Sequence, residues 1–424
     1  MMAKRTQTSD RAGAPARCNR PVLVLLAGAT DHRAVSPETH LLGLTLRQRA
    51  MRAARRAGYA RTVIVGSAGS TSDRHIAGEG ADGKEMFGRL IVAPTNALAE
   101  VSWLEAAENA EVPAGGWGHL PGRVVVVDAA AAEKAIKDLA EIGRLDVLEK
   151  RFAERLKKAG ALPEAAAPML IAGPDDLAQA HRRLLRALVK DTDGFMARHI
   201  HRPVSIAITA RLAETPITPN QMSLVSAAFG LIGAPFFLSA APIWQTLGAL
   251  LFLWHSVLDG CDGELARLKF QESYWGGVLD FWGDNVVHIA IFACMGVGWA
   301  LAIGAGWPLI LGAAAVLGTI GSASIVYFRV MRKKDNQGPL YTSVGKGPSE
   351  GLTKLLDNAS RRDFIYLVLG LSLFGKASWF LVLTAIGAPV YFFLLLIVAA
   401  REAGSSKVAQ NDAEPACSKP SSSK

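Results

Sequence analysis

Between residues 222 and 400 apolar stretches dominate the chain, and this block constrains the fold more than anything else in it. Six apolar segments can be read, at 222–238, 243–262, 278–303, 307–328, 363–375 and 378–400. A bilayer-spanning helix needs about 20 residues, and only closed hydrogen-bonded structures can satisfy their backbone in lipid. The expectation is an all-α domain of six transmembrane helices over 222–402. Charge placement is an independent check. The connections "SAAP" and "GAG" after the first and third segments carry no charge, and the one after the fifth carries only Lys376. Arg267, Lys269, Arg329, Arg332, Lys333, Lys334, Lys346, Lys354, Arg361, Arg362 and Arg401 all fall on the other side. The excess of Lys and Arg on that side makes it cytoplasmic, with both ends of the chain inside and the protein multi-pass in the cell inner (plasma) membrane.

Before this block the sequence is mixed in polarity, like a soluble domain. Apolar runs at "RPVLVLLAG", "RTVIVG", "GRLIVAP", "GRVVVVDAA" and "PMLIAG" alternate with helical stretches such as "LTLRQRAMRAARRAG". That alternation predicts an α/β domain at 20–190 with a mainly parallel sheet covered by helices on both faces. Residues 191–221 read as a linker with an interfacial amphipathic helix at 200–212, where Arg202 and Arg211 interrupt apolar sequence. "TPITPN" then turns the chain into the bilayer, with Pro219 ending the earlier helix and Asn220 capping the next. The tails, 1–19 and 403–424, read as disordered. The first of these is basic but has no apolar run before a cleavage site, so it is not read as a secretory signal. Cysteines at 18, 261, 294 and 417 have neither disulfide nor zinc-ligand spacing. Beside so much apolar sequence, the net charge of +9 points to anionic membrane lipids and not to nucleic acid.

The order of strands and helices in the first half resembles the nucleotidyltransferase fold, in particular the sugar-phosphate and inositol-phosphate cytidylyltransferases. Those enzymes hold a triphosphate on a glycine-rich basic loop and a following lysine. Here the loop is "LAGATDHRAVSPETHLLG", with Gly28 and Arg33 but with "HLLG" where the lysine belongs. The domain is therefore expected to be a degenerate, non-catalytic relative. Asp128, ending "RVVVVD", stands where a metal ligand would stand, and also where a cap or turn residue would.

The apolar block contains four aspartates. On a helical wheel Asp259, Asp262, Gly263, Ala266 and Arg267 fall within about 140° of one another, and Gly276, Asp280 and Asp284 within about 80° on the next helix. One carboxylate in a bilayer costs roughly 2.5–3.5 kcal/mol on insertion scales, and four together repel unless neutralised. Acidic oxygens with no cysteine and no matched histidine suit a hard cation such as Mg²⁺ or Mn²⁺. Gly263 and Ala266 leave room on the same face for a flat or phosphorylated ligand, and Arg267 adds a fixed cation.

The run Asp259-x-x-Asp262-Gly263-x-x-Ala266-Arg267, eight residues, Gly276-x-x-x-Asp280-x-x-x-Asp284 matches every fixed position of the CDP-alcohol phosphotransferase (CDP-alcohol phosphatidyltransferase) signature. The chain most resembles the subgroup with an N-terminal cytidylyltransferase-like domain, similar to the di-myo-inositol-phosphate-phosphate synthases. The resemblance implies six helices, a homodimer, and a centre of two divalent ions, Mg²⁺ or Mn²⁺, open to the cytoplasm. It implies transfer of a phosphoalcohol group from a CDP-alcohol to an acceptor hydroxyl with release of CMP, in phospholipid or inositol-phosphate biosynthesis. Carried over by position, Asp259, Asp262 and Asp280 would be metal ligands. Asp284 would be the general base and would touch the second metal. Gly263, Ala266, Arg267 and Gly276 would line the CDP site. Arg361 and Arg362 would hold the phosphate of an acceptor, as basic residues in this region do in relatives; the RKK run at 332–334 is a second candidate. The positive-inside rule alone also accounts for these charges. Two other classes stay open: a bifunctional cytidylyltransferase/phosphotransferase, and a divalent-cation or proton transporter.

Overall fold

A computed structural model describes residues 20–26, 35–65, 88–142, 156–158, 167–189, 196–331 and 364–411. The chain divides into two units, Met1–Arg186 and Ala187–Lys424.

The first unit is built on a six-stranded sheet whose strands, in chain order, are β1 (Val22–Leu26), β4 (Arg61–Val65), β5 (Leu90–Pro94), β6 (Trp117–Leu120), β7 (Val124–Val127) and β8 (Leu156–Lys158). Their spatial order is β4-β1-β5-β7-β6-β8. β1, β5 and β7 are continuous apolar runs buried along their whole length, as strands covered on both faces must be. Val22, Val24, Leu90, Val92, Val125 and Val127 form one core face, packed against Ala132 and Ala135 of α3 (Ala132–Ile142). Leu23, Leu25, Ile91 and Ala93 on the other face are buried as well. Between β1 and β4 a small hairpin of β2 (His40–Leu41) and β3 (Leu44–Thr45) precedes α1 (Leu46–Arg56). "HLLG" is this hairpin's turn region: Leu42 and Gly43 both take positive φ (52° and 75°), as a tight two-residue turn requires. Thr45 and Gln48 then form a capping box that starts α1.

The sheet has the expected parallel majority, three of five pairings, but is mixed. β1–β4, β1–β5 and β6–β8 are parallel, but β5–β7 and β6–β7 are antiparallel. The cause is β6. Its "WGHL" is short and glycine-containing, so no apolar run announces it, yet it returns through Gly122 (φ 77°) and Arg123 (φ 60°) as a hairpin into β7. "PMLIAG" is not a sheet strand. Met169 and Ile171 hydrogen-bond to the backbone of Leu98 and Asn96, leaving only an isolated bridge between Leu170 and Ala97. α2 (Val101–Glu108) and α4 (Pro174–Arg186) complete the unit, and Arg183 of α4 makes a forked ion pair with Glu100 (3.1 and 2.6 Å). Residues 27–34 of the loop that stands where a triphosphate site is expected, Gly28 and Arg33 among them, lie outside the described residues.

The second unit is helical. A π-type turn at Ala197–His201 runs into α5 (Arg202–Ala213), followed by α6 (Pro219–Gly233), α7 (Pro242–Lys269), α8 (Tyr274–Ile303), α9 (Trp307–Val326), α10 (Phe364–Leu373) and α11 (Ala377–Asn411). The cap of α6 is Thr218, in a capping box with Gln221; Pro219 is the first helical residue, so Asn220 lies inside the helix and is not its cap. α7 extends past the expected end at 262 because its acidic stretch continues the helical ladder to Lys269. Small residues set the closest approaches. A Cβ on Gly298 would run into the Phe237 carbonyl oxygen, and one on Gly296 would lie 3.1 Å from the Gly312 Cα.

Among the described residues, four helices are long and apolar enough to cross a membrane: Pro219–Leu238, Tyr274–Ile303, Trp307–Arg329 and Ala377–Val398. Ile243, Leu301, Ile310, Leu317 and Ile386 are large apolar side chains on the outer surface of this unit. α7 matches the spans in length but carries Asp259, Asp262 and Glu264, and the described part of the fifth apolar segment is the ten-residue α10. α5 falls in the 200–212 segment expected to be an interfacial amphipathic helix, with Arg202 and Arg211 interrupting its apolar sequence. Arg202, Ser205 and Thr209 of this helix face α7.

Candidate active site

The site is built where α7 ends and α8 begins. Phe270 caps α7 in a left-handed conformation (φ 53°), and the Gln271 amide closes back on the Ala266 carbonyl (2.8 Å). Ser273 accepts from the Gly276 amide (3.0 Å) to start α8. This reversal sets the last turns of α7 opposite the first turns of α8. Both helices pack along α6, more closely than along each other. Asp259, Asp262 and Asp280 meet there, with one carboxylate oxygen of each within 4.8 Å of the others. Asp259 and Asp262 are buried and Asp280 is half-buried.

Two unit charges 4 Å apart repel by about 4 kcal/mol at an effective dielectric constant of 20, so the arrangement calls for a counter-cation. The donor set fits one. Magnesium binds oxygen at about 2.0–2.1 Å, which puts opposite ligands roughly 4.2 Å apart. Cys261, the nearest soft ligand in sequence, turns away to the Val257 and Ser205 carbonyls (3.5 Å each). Only hard oxygens are left in the triad, as suits Mg²⁺ or Mn²⁺.

Asp262 is held from α6 by the buried Ser223 hydroxyl, which donates to its Oδ2, and on its own helix by the Gly263 amide, which donates to its Oδ1. Nothing in the signature spacing points to Ser223. The available sign was the polar pair Ser223 and Ser226, three residues apart in the apolar part of the helix beyond its first turn. Outer-shell partners of metal ligands are worth about 10–100-fold in metal affinity. Ser223→Ala is therefore expected to raise the Mn²⁺ concentration for half-saturation roughly tenfold, read by titration of the purified protein. An unchanged midpoint would leave Ser223 a packing residue.

Asp284, grouped with the other three in the sequence reading, is not part of the 4.8 Å triad. Its Oδ1 lies 3.3 Å from His255 Nε2 and 3.7 Å from His288 Nδ1. The expectation that no histidine accompanies the carboxylates is therefore corrected. His255 precedes Asp259 by one turn and His288 follows Asp284 by one turn, so both extend the acidic stripes just outside the signature. His288 Nδ1 donates to the Asp284 carbonyl (2.7 Å).

The other predicted site residues are placed as follows. A Cβ on Gly263 would lie 3.3 Å from the Arg267 guanidinium, so the glycine lets Arg267 fold back along its own helix. Gly276 allows Asn220 of α6 to approach α8, for a Cβ there would sit 2.9 Å from the Asn220 side-chain oxygen. Ala266 is half-buried between these positions. Arg329 is exposed in the middle of the π-type turn Tyr327–Met331 after α9. Arg332, Lys333, Lys334, Arg361 and Arg362 lie outside the described residues.

Glu264 is a fifth acid, two residues beyond Asp262 and so roughly 200° around the helix, on the face away from the triad. It is fully buried. Its Oε1 accepts from Arg202 (2.7 Å) and Ser205 (2.7 Å), and its Oε2 from Thr209 (2.7 Å), which pins α5 to α7. Lys269 does the same for the connection to α6, donating to the carbonyls of Thr215 (2.7 Å) and Ile217 (3.3 Å).

Residues 216–355 match the CDP-alcohol phosphatidyltransferase family. This match falls within the helical unit. The triad and Asp284 lie inside the matched residues. The chain is also similar to proteins named bifunctional IPC transferase and DIPP synthase. One from Thermococcus kodakarensis is 35% identical over 155 residues, covering 36% of this chain and 33% of that protein. One from Archaeoglobus fulgidus is 29% identical over 227 residues, covering 53% of this chain and 40% of that protein. The matches thus span well under half the length of these curated relatives. Among solved structures, Mycobacterium tuberculosis phosphatidylinositol phosphate synthase with CDP-DAG bound is 17% identical, with 46% of this chain and 92% of that one covered at a TM-score of 0.33. That score is too low to place any residue of the domain.

In the first unit, Asp128 accepts from the amides of Gly115 (2.8 Å) and Ala130 (3.3 Å) and caps a short 3-10 turn. The Gly115 amide chiefly holds its carboxyl below the ordinary carboxylate range. This is the cap-and-turn role of an aspartate that ends a strand.

Proposed function

We propose that the CDP-alcohol phosphatidyltransferase domain transfers a phosphoalcohol group from a CDP-alcohol to an acceptor hydroxyl and releases CMP. The observation that carries the reading is the convergence of Asp259, Asp262 and Asp280 within 4.8 Å, inside the matched segment. These three would hold a divalent cation, Mg²⁺ or Mn²⁺, with Asp284 the candidate for a second. When bound, such an ion supplies charge neutralisation on the diphosphate and a better leaving group in CMP. Arg267 adds a permanent positive charge on the Asp262 side of α7 for the same diphosphate. Gly263, Ala266 and Gly276 keep side-chain bulk out of the CDP site. Asp284 takes the proton from the acceptor hydroxyl through a carboxylate oxygen. The hydroxyl oxygen bonds to the phosphorus bearing the alcohol, and the bond from that phosphorus to the CMP phosphate oxygen breaks. The product is a phosphodiester, and Arg361 and Arg362 are the proposed hold on an acceptor phosphate.

The domain is proposed to span the inner (plasma) membrane six times as a homodimer, with the α/β unit and the active site on the cytoplasmic side. Reporter fusions to the α/β unit, to the 332–363 connection and after 411 are then expected to report cytoplasm, and fusions near 241 and 305 the outside. A cytoplasmic signal at 305 would break this topology.

The names of the relatives favour one second reading, a bifunctional enzyme whose α/β unit makes its own CDP-alcohol. Asp128, spent on backbone amides, and "HLLG", folded as a hairpin where the lysine is expected, argue against it. Full-length protein is expected to release no pyrophosphate from CTP and a polyol phosphate; release dependent on Asp128 would establish the bifunctional enzyme. A transporter, the remaining class, is separated by one comparison. Purified protein should release labelled CMP from a CDP-alcohol, and proteoliposomes should accumulate no Mn²⁺. Mn²⁺ uptake without CMP release would reverse the assignment.

A further inference from the structure

We infer that His255 is a positioning residue for Asp284, an inference that rests on the proposed role of Asp284 as base. Three helices meet in this contact. Ser226 of α6 offers its carbonyl to His255 Nδ1 at 2.9 Å, and His255 Nε2 on α7 reaches Asp284 Oδ1 on α8 at 3.3 Å. A carbonyl only accepts, so Nδ1 carries a proton, and this fixes which edge of the ring faces Asp284. The imidazole has no room to turn. Its side chain is 1% exposed, it stacks on Phe252 (centroids 6.1 Å apart), and Gly230 of α6 passes so close that a Cβ there would lie 3.1 Å from the ring. The Asp284 side chain, by contrast, is 28% exposed. The more accessible carboxylate is thus held at one oxygen by a locked, buried ring. A base held within hydrogen-bond reach by a third group is the arrangement that orients catalytic carboxylates and imidazoles in general. The signature spacing contains neither His255 nor Ser226, so this support is specific to the residues this chain places around it.

The contact is tested first without turnover. In full-length protein labelled with ¹⁵N-histidine and held in nanodiscs, His255 Nδ1 should carry a proton. Its Nε2 resonance should shift in Asp284→Asn and stay in place in Asp280→Asn. A His255 Nε2 signal indifferent to Asp284→Asn would overturn the inference. Turnover then tests the consequence. His255→Gln keeps an amide donor near the Nε2 position, whereas His255→Asn keeps one only near Nδ1. His255→Asn should lose roughly 10–100-fold in kcat with little change in KM for the CDP-alcohol, and His255→Gln should recover most of that loss. Equal losses in the two variants, or losses confined to KM, would make His255 a packing residue and sink the inference. If wild-type protein releases no CMP from any CDP-alcohol, the proposed function falls; the resonance measurement still decides the contact.

Discussion

Asp259→Asn, Asp262→Asn and Asp280→Asn are each expected to reduce metal-dependent CMP release by on the order of 10²–10³-fold. An amide oxygen is neutral and a poor replacement for an anionic ligand, and at about 1.36 kcal/mol per tenfold this is a loss of roughly 3–4 kcal/mol of transition-state stabilisation. The three losses should not add, because any one substitution opens the same 4.8 Å cluster. Asp284→Asn should behave differently. It lies outside the cluster, so the ion held by the other three aspartates and the CDP-alcohol should still bind while transfer falls by about 10²–10⁴-fold, the usual range for a lost general base. Metal binding and initial rates measured on the same preparations separate the two patterns. Near-wild-type turnover in any of the four would contradict the assignment.

The largest effect on stability is expected at Arg202. Glu264 is fully buried, and Arg202 pairs with it at 2.7 Å and 15% side-chain exposure. Removing one partner of a buried pair leaves the other charged and desolvated, which costs about 3–5 kcal/mol. Arg202→Ala should therefore lower the midpoint of unfolding in detergent sharply. The double variant Arg202→Leu/Glu264→Leu should regain much of the loss, since apolar replacement of a buried pair is often neutral. A single variant as stable as wild type would mean that α5 is held to α7 by other contacts.

These two sites also mark what the sequence made legible. The aspartate stripes could be read because a 100° helical repeat and an apolar background leave few reasons for carboxylates at those positions. Glu264 was not singled out although it is just as acidic. Its partners Arg202, Ser205 and Thr209 lie about 60 residues upstream in a segment whose mixed polarity also suits a membrane surface. His255 and Ser223 escaped for a related reason: a lone histidine or serine in an apolar helix becomes informative only when the neighbouring helix supplies its partner. In the α/β unit, the fully buried runs of β1, β5 and β7 were plain from their composition. β6 was not, because Gly118 and the short span of "WGHL" give no alternation to read, and missing it hid the two antiparallel pairings. The helix ends were legible where proline acted. Pro219 was recognised as a boundary, but the cap fell to Thr218 because Gln221, three residues on, completes the box.

The central claim is tested most directly by following phosphorus. Purified full-length protein is mixed with a CDP-alcohol, an acceptor polyol phosphate and Mg²⁺, and the reaction is followed by ³¹P NMR. The account predicts that the diphosphate signals fall while a CMP signal and a new phosphodiester signal rise in equal amounts. It also predicts that all of this stops when either the acceptor or the metal is withheld, or when Asp280 is replaced by asparagine. Diphosphate signals that persist across a panel of CDP-alcohols and acceptors, or that decay equally fast without any acceptor, would contradict it.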